Sequence, residues 1–256
     1  MIKMVVSDFD NTLMIYPNKF SEEQIDVLKK LKEKDIKFVI VTCRSINFFR
    51  QFPELLSVTD YIISSNGGSI YDVVNNKFIY SLCINQLSLD KMIKLGLDNG
   101  YTFIINEMDK VYKYGNLKKI DSIEFIEDSE YKAEQIIFYI EDYKLNRFKE
   151  LIKKIDGILI NNINSSTQNG IYAIDINHKD VSKGNGLLWF CDYLDIDTSE
   201  VMAFGDGEND LSMFRVIDKC VCVDNASYNL KKCSFDMTDS CINSGVFKYI
   251  EDNILK

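Results

Sequence analysis

The sequence predicts an α/β protein: a doubly wound, Rossmann-like parallel sheet that is interrupted by an inserted α+β domain. Three observations lead to this prediction. Short continuous apolar runs alternate with helical patterns near both ends of the chain, which is typical of a parallel sheet covered by helices. The middle of the chain instead carries strand-like segments in pairs between two helical patterns. Acidic residues directly follow several apolar runs, where doubly wound sheets bind their ligands.

The N-terminal part of the chain begins with an apolar run at 4–7 that reads as a buried strand. A helix is expected from Ser21, because Gln24 three residues later completes a capping-box pattern. The apolar runs 37–42 and 61–66 are predicted as the next two strands. After them, two strand-like segments flank the pair Asn75-Asn76, a pattern that favours a hairpin.

The middle of the chain has a different order of predicted elements. It contains helical patterns at 88–99 and 143–155 and strand-like segments at 101–106, 135–141, 157–161 and 170–176. The parallel rhythm then returns with helices at 182–194, 209–215 and 244–255 and strands at 201–206 and 219–223. We therefore predict a core made of residues 1–81 and 180–256, with residues 82–179 inserted as a second domain.

Composition limits the classes of function. The 256 residues are 46% hydrophobic and 27% charged, with a formal net charge of -9, which argues against a nucleic-acid groove. No apolar run approaches the roughly 20 residues of a membrane span. The seven cysteines are scattered without a CxxC pair, so reduced thiols in a cytoplasmic protein are expected. No pattern indicates the oligomeric state.

Chemically distinctive side chains collect at the predicted carboxyl ends of the strands. They are Asp8, Asp10, Thr42, Asp206 and Asp210, with Lys183 at a helix start. Two unit charges ~4 Å apart repel by about 4 kcal/mol at an effective dielectric of about 20, so the carboxylates need a cation. Mg²⁺ fits best, because it takes one or two carboxylates plus a substrate phosphate. The absence of a histidine or cysteine cluster at this edge disfavours zinc.

Four motifs, in this order and spacing, resemble those of the haloacid dehalogenase-like phosphatases: DFDNT, VTCRS, SKG and GDGEND. The position of the insertion resembles that of a C2-type cap, a combination found in the Cof-type subgroup. The resemblance implies a Mg²⁺-dependent phosphatase that acts on a small phosphorylated metabolite, such as a sugar phosphate, through an aspartyl-phosphate intermediate. It also implies that the inserted domain selects the substrate.

The resemblance assigns a role to each matching position. Asp8 matches the nucleophile, and Asp10 matches the general acid and base, whose backbone carbonyl also binds the metal. The positions that match phosphate-binding groups are Thr42, Lys183 and Asn209. The positions that match the metal site are Asp8, Asp10, Asp206 and Asp210. Weaker candidates for substrate contact are Arg44, Asn66 and Gly67.

Two positions depart from the family pattern, since Asn11 and Cys43 stand where glycine is usual. Asn tolerates positive φ better than most residues, so Asn11 is compatible with the same turn. Arg44 is expected either to pair with a surface carboxylate or to reach the substrate, with neither role favoured. The single histidine, His178, is expected to be a surface residue of the linker.

Other functions share parts of this pattern. A phosphosugar mutase of the same superfamily would use every one of these motifs. A signalling module with a phosphorylatable aspartate also places acids, a hydroxyl and a lysine at strand ends, but it needs neither a carboxylate two residues after the acceptor nor an inserted domain of this size. A non-catalytic binder of metal or phosphate is disfavoured because the acidic residues and Lys183 are all present.

Overall fold

The computed structural model describes residues 1–116, 123–127, 129–166 and 170–256. The chain forms two units, the first from Met1–Ile79 with Ser182–Lys256 and the second from Tyr80–Val181. Within the described ranges, no helix is long and apolar enough to cross a membrane.

The strands, in chain order, are β1 (Met4–Ser7), β2 (Lys37–Val41), β3 (Tyr61–Ser64), β4 (Ser69–Asp72), β5 (Lys77–Ser81), β6 (Thr102–Glu107), β7 (Lys110–Tyr114), β8 (Ile123–Glu124), β9 (Gln135–Glu141), β10 (Ile158–Ser166), β11 (Ile171–His178), β12 (Val201–Gly205), β13 (Lys219–Val223) and β14 (Asp236–Thr238). The α-helices are α1 (Glu22–Glu33), α2 (Pro53–Leu56), α3 (Gln86–Asn99), α4 (Leu145–Ile152), α5 (Lys183–Leu194), α6 (Leu211–Phe214), α7 (Tyr228–Cys233) and α8 (Gly245–Ile250).

The first unit is built on a largely parallel sheet. Among the described residues this sheet has eight strands, in the order β14-β13-β12-β1-β2-β3-β4-β5. Strands β1 to β3 and β12 to β14 run parallel, whereas β4 returns antiparallel to β3. Every residue of β1 and of β12 is buried, as expected for strands covered on both faces. The doubly wound α/β fold class is confirmed.

Strand β1 is the switch point of this sheet. The chain continues from β1 to β2 and β3 on one side, whereas β12, β13 and β14 extend the other side. Ser7 pairs with Phe204, so the chain leaves β1 and β12 at nearly the same level. Ligands of doubly wound sheets bind at the carboxyl ends of the strands around such a point, which directs attention to the residues just after Ser7 and Gly205.

Local sequence explains how the first helix begins. The Ser21 side chain accepts a hydrogen bond from the Gln24 backbone, and the Gln24 side chain accepts one from the Ser21 N–H. The predicted capping box is therefore confirmed. The buried face of α1 consists of Ile25, Val27, Leu28 and Leu31, which join the core of the first unit.

The second unit has one sheet with its helices on one face. The described strands follow the order β10-β11-β9-β6-β7-β8 and are antiparallel apart from the β7–β8 pair. Alternate residues of β9, Ile136, Phe138 and Ile140, pack in one cluster with residues of α3 and α4. The predicted α+β character is observed. Tyr101 and Tyr131 are buried in the same cluster.

Several short elements were not predicted. They are α2, α7, β7, β8 and β14. Each is at most six residues long, too short to show a clear hydrophobic period, and β14 and β8 are mostly exposed edge strands. Packing against longer neighbours therefore determines whether these short elements form, because their own sequence carries little signal.

Candidate active site

The first feature of the site is a buried ion pair at the carboxyl end of β1. Asp8 follows Ser7 directly and is 5% exposed. Lys183, the first residue of α5, is 1% exposed, and its Nζ lies 2.5 Å from Asp8 Oδ1. The same Nζ lies 2.6 Å from Asp210 Oδ1. One ammonium therefore joins two carboxylates from distant parts of the sequence.

Asp210 also organises the loop that follows β12. Its Oδ2 accepts hydrogen bonds from the backbone N–H groups of Asp206, at 3.0 Å, and Gly207, at 2.9 Å. A Cβ at Gly205 would lie 2.8 Å from the same oxygen, so the tight turn requires glycine there. Asp210 therefore links Lys183 to this loop, and it stays a candidate metal ligand.

Asp206 leaves β12 beside the end of β1. Its Oδ1 accepts a hydrogen bond of 3.0 Å from Thr12 Oγ1. Among the described residues, Asp8, Asp206 and Asp210 each offer a carboxylate oxygen, and these oxygens lie within 4.8 Å of one another. Three carboxylates thus share a small volume with the single ammonium of Lys183.

The electrostatics of this cluster favour a bound cation. Burial raises the pKa of Asp206 to about 6, and the neighbouring Asp210 carboxylate adds to the effect. Burial also raises the pKa of Asp8 well above its ordinary value, although Lys183 acts in the opposite direction. Burial opposes the charged form of Lys183, but Asp210 and Asp8 together raise its pKa. The ammonium stays charged, and the excess of negative charge remains.

The donor set fits a hard divalent cation. All candidate ligand atoms in the cluster are carboxylate oxygens, which Mg²⁺ prefers. Burial, and after it repulsion between the carboxylates, raises the pKa values of Asp8 and Asp206, and a second positive charge would offset both effects. The residues present are therefore compatible with a magnesium ion.

Asp10, the second carboxylate of the first motif, bonds to Arg44 instead of Lys183. Arg44 Nε donates to Asp10 Oδ2 at 2.7 Å, and Nη2 donates to Oδ1 at 2.6 Å. Both side chains are about one-third exposed, at 28% for Asp10 and 30% for Arg44. Of the two roles left open for Arg44, the structure displays pairing with a carboxylate.

Thr42 lies at the end of β2 and is fully buried. Its Oγ1 accepts a hydrogen bond of 3.1 Å from the Arg44 backbone N–H, and its carbonyl accepts one of 2.8 Å from the Asn66 N–H. The hydroxyl is therefore held at the same edge of the sheet as Asp8.

The remaining candidates lie after β3 and β12. Asn66 is buried with a φ of 59°, and its Oδ1 accepts a hydrogen bond of 3.4 Å from Asn209 Nδ2. A Cβ at Gly67 would lie 2.3 Å from the Ser182 carbonyl oxygen. Gly67 is thus explained by the close approach of the chain before α5, and this packing accounts for the glycine without any substrate contact.

The two departures from the family pattern also have defined positions. Asn11 has a φ of 60°, which confirms that the turn uses the left-handed region that Asn tolerates. The Asn11 carbonyl accepts a hydrogen bond of 2.8 Å from Asn225 Nδ2. Cys43 is half-buried. His178 lies at the end of β11 in the second unit, where its Nδ1 accepts a hydrogen bond from the Asp180 N–H.

Two features of the site were not predicted. Thr12 stands in the DFDNT motif, and a hydroxyl two residues after a motif carboxylate is the signal that points to it. The Arg44–Asp10 pair carries no such signal, because nothing in the linear sequence states which carboxylate an arginine beside β2 will meet.

Comparison with known proteins identifies the family. A family model described as haloacid dehalogenase-like hydrolase matches residues 5–250. A putative phosphatase of Buchnera aphidicola subsp. Baizongia pistaciae is 29% identical, over 91% of this chain and 90% of its own. The 5-amino-6-(5-phospho-D-ribitylamino)uracil phosphatase YcsE of Bacillus subtilis is 26% identical, over 99% of this chain and 96% of its own.

A solved structure shares the fold along the whole chain. A haloacid dehalogenase-like hydrolase from Bacteroides thetaiotaomicron matches with a TM-score of 0.85 and 22% identity, covering 98% of this chain and 99% of that one. The family model confirms the resemblance noted in the motifs. The chain therefore belongs to the haloacid dehalogenase-like hydrolase family, within its Cof-type subgroup, and the enzyme class that its relatives share is phosphatase.

Proposed function

We propose that this phosphatase hydrolyses a small phosphorylated metabolite through an aspartyl phosphate on Asp8, with Mg²⁺ as its cation. The observation that supports this most strongly is the buried Asp8–Lys183 pair, 2.5 Å long, beside the Asp206 and Asp210 carboxylates. A carboxylate nucleophile of this kind splits one difficult displacement into two easier ones.

In the first step, an Asp8 carboxylate oxygen attacks phosphorus and the bond from phosphorus to the leaving oxygen breaks. Lys183 lies at Asp8 Oδ1, where its charge offsets that of the incoming phosphate. Thr42 and Asn209 donate hydrogen bonds to the phosphoryl oxygens in this proposal. Most of the catalytic effect then comes from positioning and charge stabilisation.

Asp10 moves the protons. Its carboxyl group gives a proton to the leaving oxygen as the bond to phosphorus breaks, and its carboxylate then takes a proton from the water that attacks the phospho-enzyme. This second attack releases inorganic phosphate and restores the Asp8 carboxylate.

The magnesium ion would be held by Asp8, Asp206 and the backbone carbonyl of Asp10. Asp210 supports that set through its bonds to Lys183 and the loop amides. When bound, the ion supplies positive charge that lowers the repulsion between the carboxylates and the phosphate.

The inserted domain, residues 82–179, is the substrate-selecting cap in this proposal. One relative is named for a phosphorylated ribitylaminouracil, which suggests phosphorylated sugars and sugar-alcohol derivatives as a first substrate class. A cytoplasmic location completes the proposal and agrees with seven cysteines that are all free thiols.

The test measures inorganic phosphate released from a panel of phosphorylated sugars, phosphorylated ribitylaminouracil and short phosphorylated acids, with Mg²⁺ and with a chelator. We expect turnover of at least one compound, lost on chelation and in Asp8→Asn. Asp218→Asn, at an exposed position of the first unit, is the matched control and keeps wild-type activity. Full activity of Asp8→Asn would remove the proposed nucleophile, and transfer of phosphate to another hydroxyl without release would favour the mutase.

A further inference from the structure

The guanidinium of Arg44 occupies both carboxylate oxygens of Asp10. The two donor–acceptor distances are 2.7 Å from Nε to Oδ2 and 2.6 Å from Nη2 to Oδ1. Such a two-point contact fixes the plane of the carboxylate as well as its position. Asp10 is thus held in one orientation at the edge of the sheet, two residues beyond the Asp8 nucleophile.

Arg44 is itself held on several sides. Its Cζ lies 3.6 Å from the centroid of the Phe48 ring and 5.4 Å from that of Tyr16, within the range of a cation–π contact. Its backbone N–H donates to Thr42 Oγ1, and its carbonyl accepts a hydrogen bond of 2.9 Å from the Ser65 N–H. Side chain and backbone are both fixed.

The aromatic support for Arg44 is continuous with the core. The Phe48 ring packs edge-to-face on Phe9 at 5.6 Å and on Phe49 at 5.4 Å between centroids, and both of those rings are fully buried. Phe9 is the residue between Asp8 and Asp10 in the chain. The same aromatic cluster therefore fixes both the backbone of the DFDNT motif and the arginine that bonds Asp10.

These contacts separate Arg44 from the groups assigned to phosphate. Its Nε and Nη2 are committed to Asp10, whereas the phosphate-binding cation of the proposed mechanism, Lys183, lies against Asp8. A guanidinium has a fork geometry that matches one carboxylate in two places, which an ammonium does not. The choice of arginine at position 44 is thus explained by Asp10 alone.

We propose that Arg44 is a positioning residue for Asp10 in proton delivery, and that it acts through Asp10 and makes no substrate contact. The inference rests on the proposed function. When the substrate is bound, Asp10 turns one oxygen from Nη2 to the leaving group while the other stays on Nε. The oxygen that leaves Nη2 carries the proton that Asp10 took from water in the preceding turnover. This proton moves to the leaving oxygen, which keeps the electron pair of its broken bond to phosphorus, while an Asp8 oxygen forms the new bond to phosphorus.

Leaving groups of different basicity test this role directly. An alkoxide needs a proton as it leaves, whereas p-nitrophenolate leaves without one. We expect Arg44→Ala to lower kcat/KM about 100-fold for the alkyl phosphate that the wild type hydrolyses best, because general acid catalysis typically contributes 10²–10⁴-fold. For p-nitrophenyl phosphate the loss in kcat/KM should stay within about threefold. This parameter reports only the steps up to and including the first irreversible one, phosphoryl transfer to Asp8, and that step needs no proton when p-nitrophenolate leaves.

Two further variants complete the experiment. Arg44→Lys keeps the charge but loses the fork, so we expect a selective loss of about 10-fold on the alkyl phosphate, and it serves if Arg44→Ala fails to fold. Arg50→Ala removes an exposed arginine of the same segment and should change neither rate. Equal losses on the two substrates, or no loss on the alkyl phosphate, would overturn the inference. Failure of the wild type on the whole panel would instead refute the proposed function.

Discussion

Glu134 in the second unit gives the protein a predictable dependence of stability on pH. Its side chain is fully buried, and its oxygens accept hydrogen bonds from the Met108 N–H at 2.8 and 3.0 Å and from Ser81 Oγ at 3.2 Å. Burial nevertheless dominates and raises its pKa from 4.5 to about 7, with a further contribution from the Glu107 charge. The hydrogen bonds oppose that shift and are outweighed.

The sign and size of the effect follow from this shift. The folded protein binds the Glu134 proton more tightly than the unfolded chain does, so the folded state loses stability as the pH rises from about 4.5 to about 7. A shift of about 2.5 pKa units corresponds to a change of about 3 kcal/mol in the free energy of unfolding. Of this, about 2.5 kcal/mol falls between about pH 5 and about pH 8.

The perturbation is Glu134→Gln, which cannot ionise. Urea unfolding, followed by far-ultraviolet circular dichroism, gives the free energy of unfolding of wild type and variant near pH 5 and near pH 8. We expect the variant to gain about 2.5 kcal/mol relative to wild type between the two pH values. Glu150→Gln, at an exposed position of α4, should show no such gain. Parallel pH profiles for wild type and Glu134→Gln would refute the reasoning.

Three substitutions in the first unit test other contacts. Asp210→Asn removes the buried negative charge that pairs with Lys183 and should lower the free energy of unfolding by about 3 kcal/mol, measured by urea unfolding. An unchanged value would contradict the pairing. Thr12→Val removes the hydrogen bond to Asp206 and should raise the Mg²⁺ concentration for half-maximal activity about 10-fold, whereas an unchanged concentration would contradict a role for this hydrogen bond in orienting Asp206. Asn11→Ala should lower the free energy of unfolding by about 1 kcal/mol. The φ of 60° at this position disfavours a residue that has a Cβ but no polar side chain to compensate. Asn11→Gly should be nearly neutral, and equal thermal midpoints for the two Asn11 variants would contradict that reason.

The parts of the fold that could be predicted from the sequence carry their signal locally. The apolar run at 4–7 is buried on both faces because it is a central parallel strand, and the Ser21 capping box involves neighbours three residues apart. The edge strand β14 depends on packing against β13, so its own three residues predict nothing. Residues that contact only near neighbours can be read from sequence, and those placed by distant packing cannot.

The residues of the candidate site likewise fall into those that could be predicted from the sequence and those that could not. The motifs indicated that Asp8, Lys183 and Asp206 meet, because strand ends of a parallel sheet share one edge. They left Arg44 open, since its partner depends on the turn after β1 and on the Phe48 ring beneath the guanidinium. Substrate contact at Gly67 stays a prediction, while the approach of the Ser182 carbonyl explains why position 67 needs glycine. A steric requirement between distant backbones leaves no mark in the linear sequence beyond the glycine itself.

In the proposed mechanism, Asp8 carries the phosphoryl group during turnover. Acid quenching during steady-state turnover, followed by borohydride reduction and peptide mass spectrometry, converts a phosphorylated aspartate to homoserine at the labelled position. We expect the reduced residue at position 8 in the wild type, only when both substrate and Mg²⁺ are present, and none in Asp8→Asn. Reduction at another carboxylate, or phosphate release with Asp8 unmodified throughout, would contradict the account.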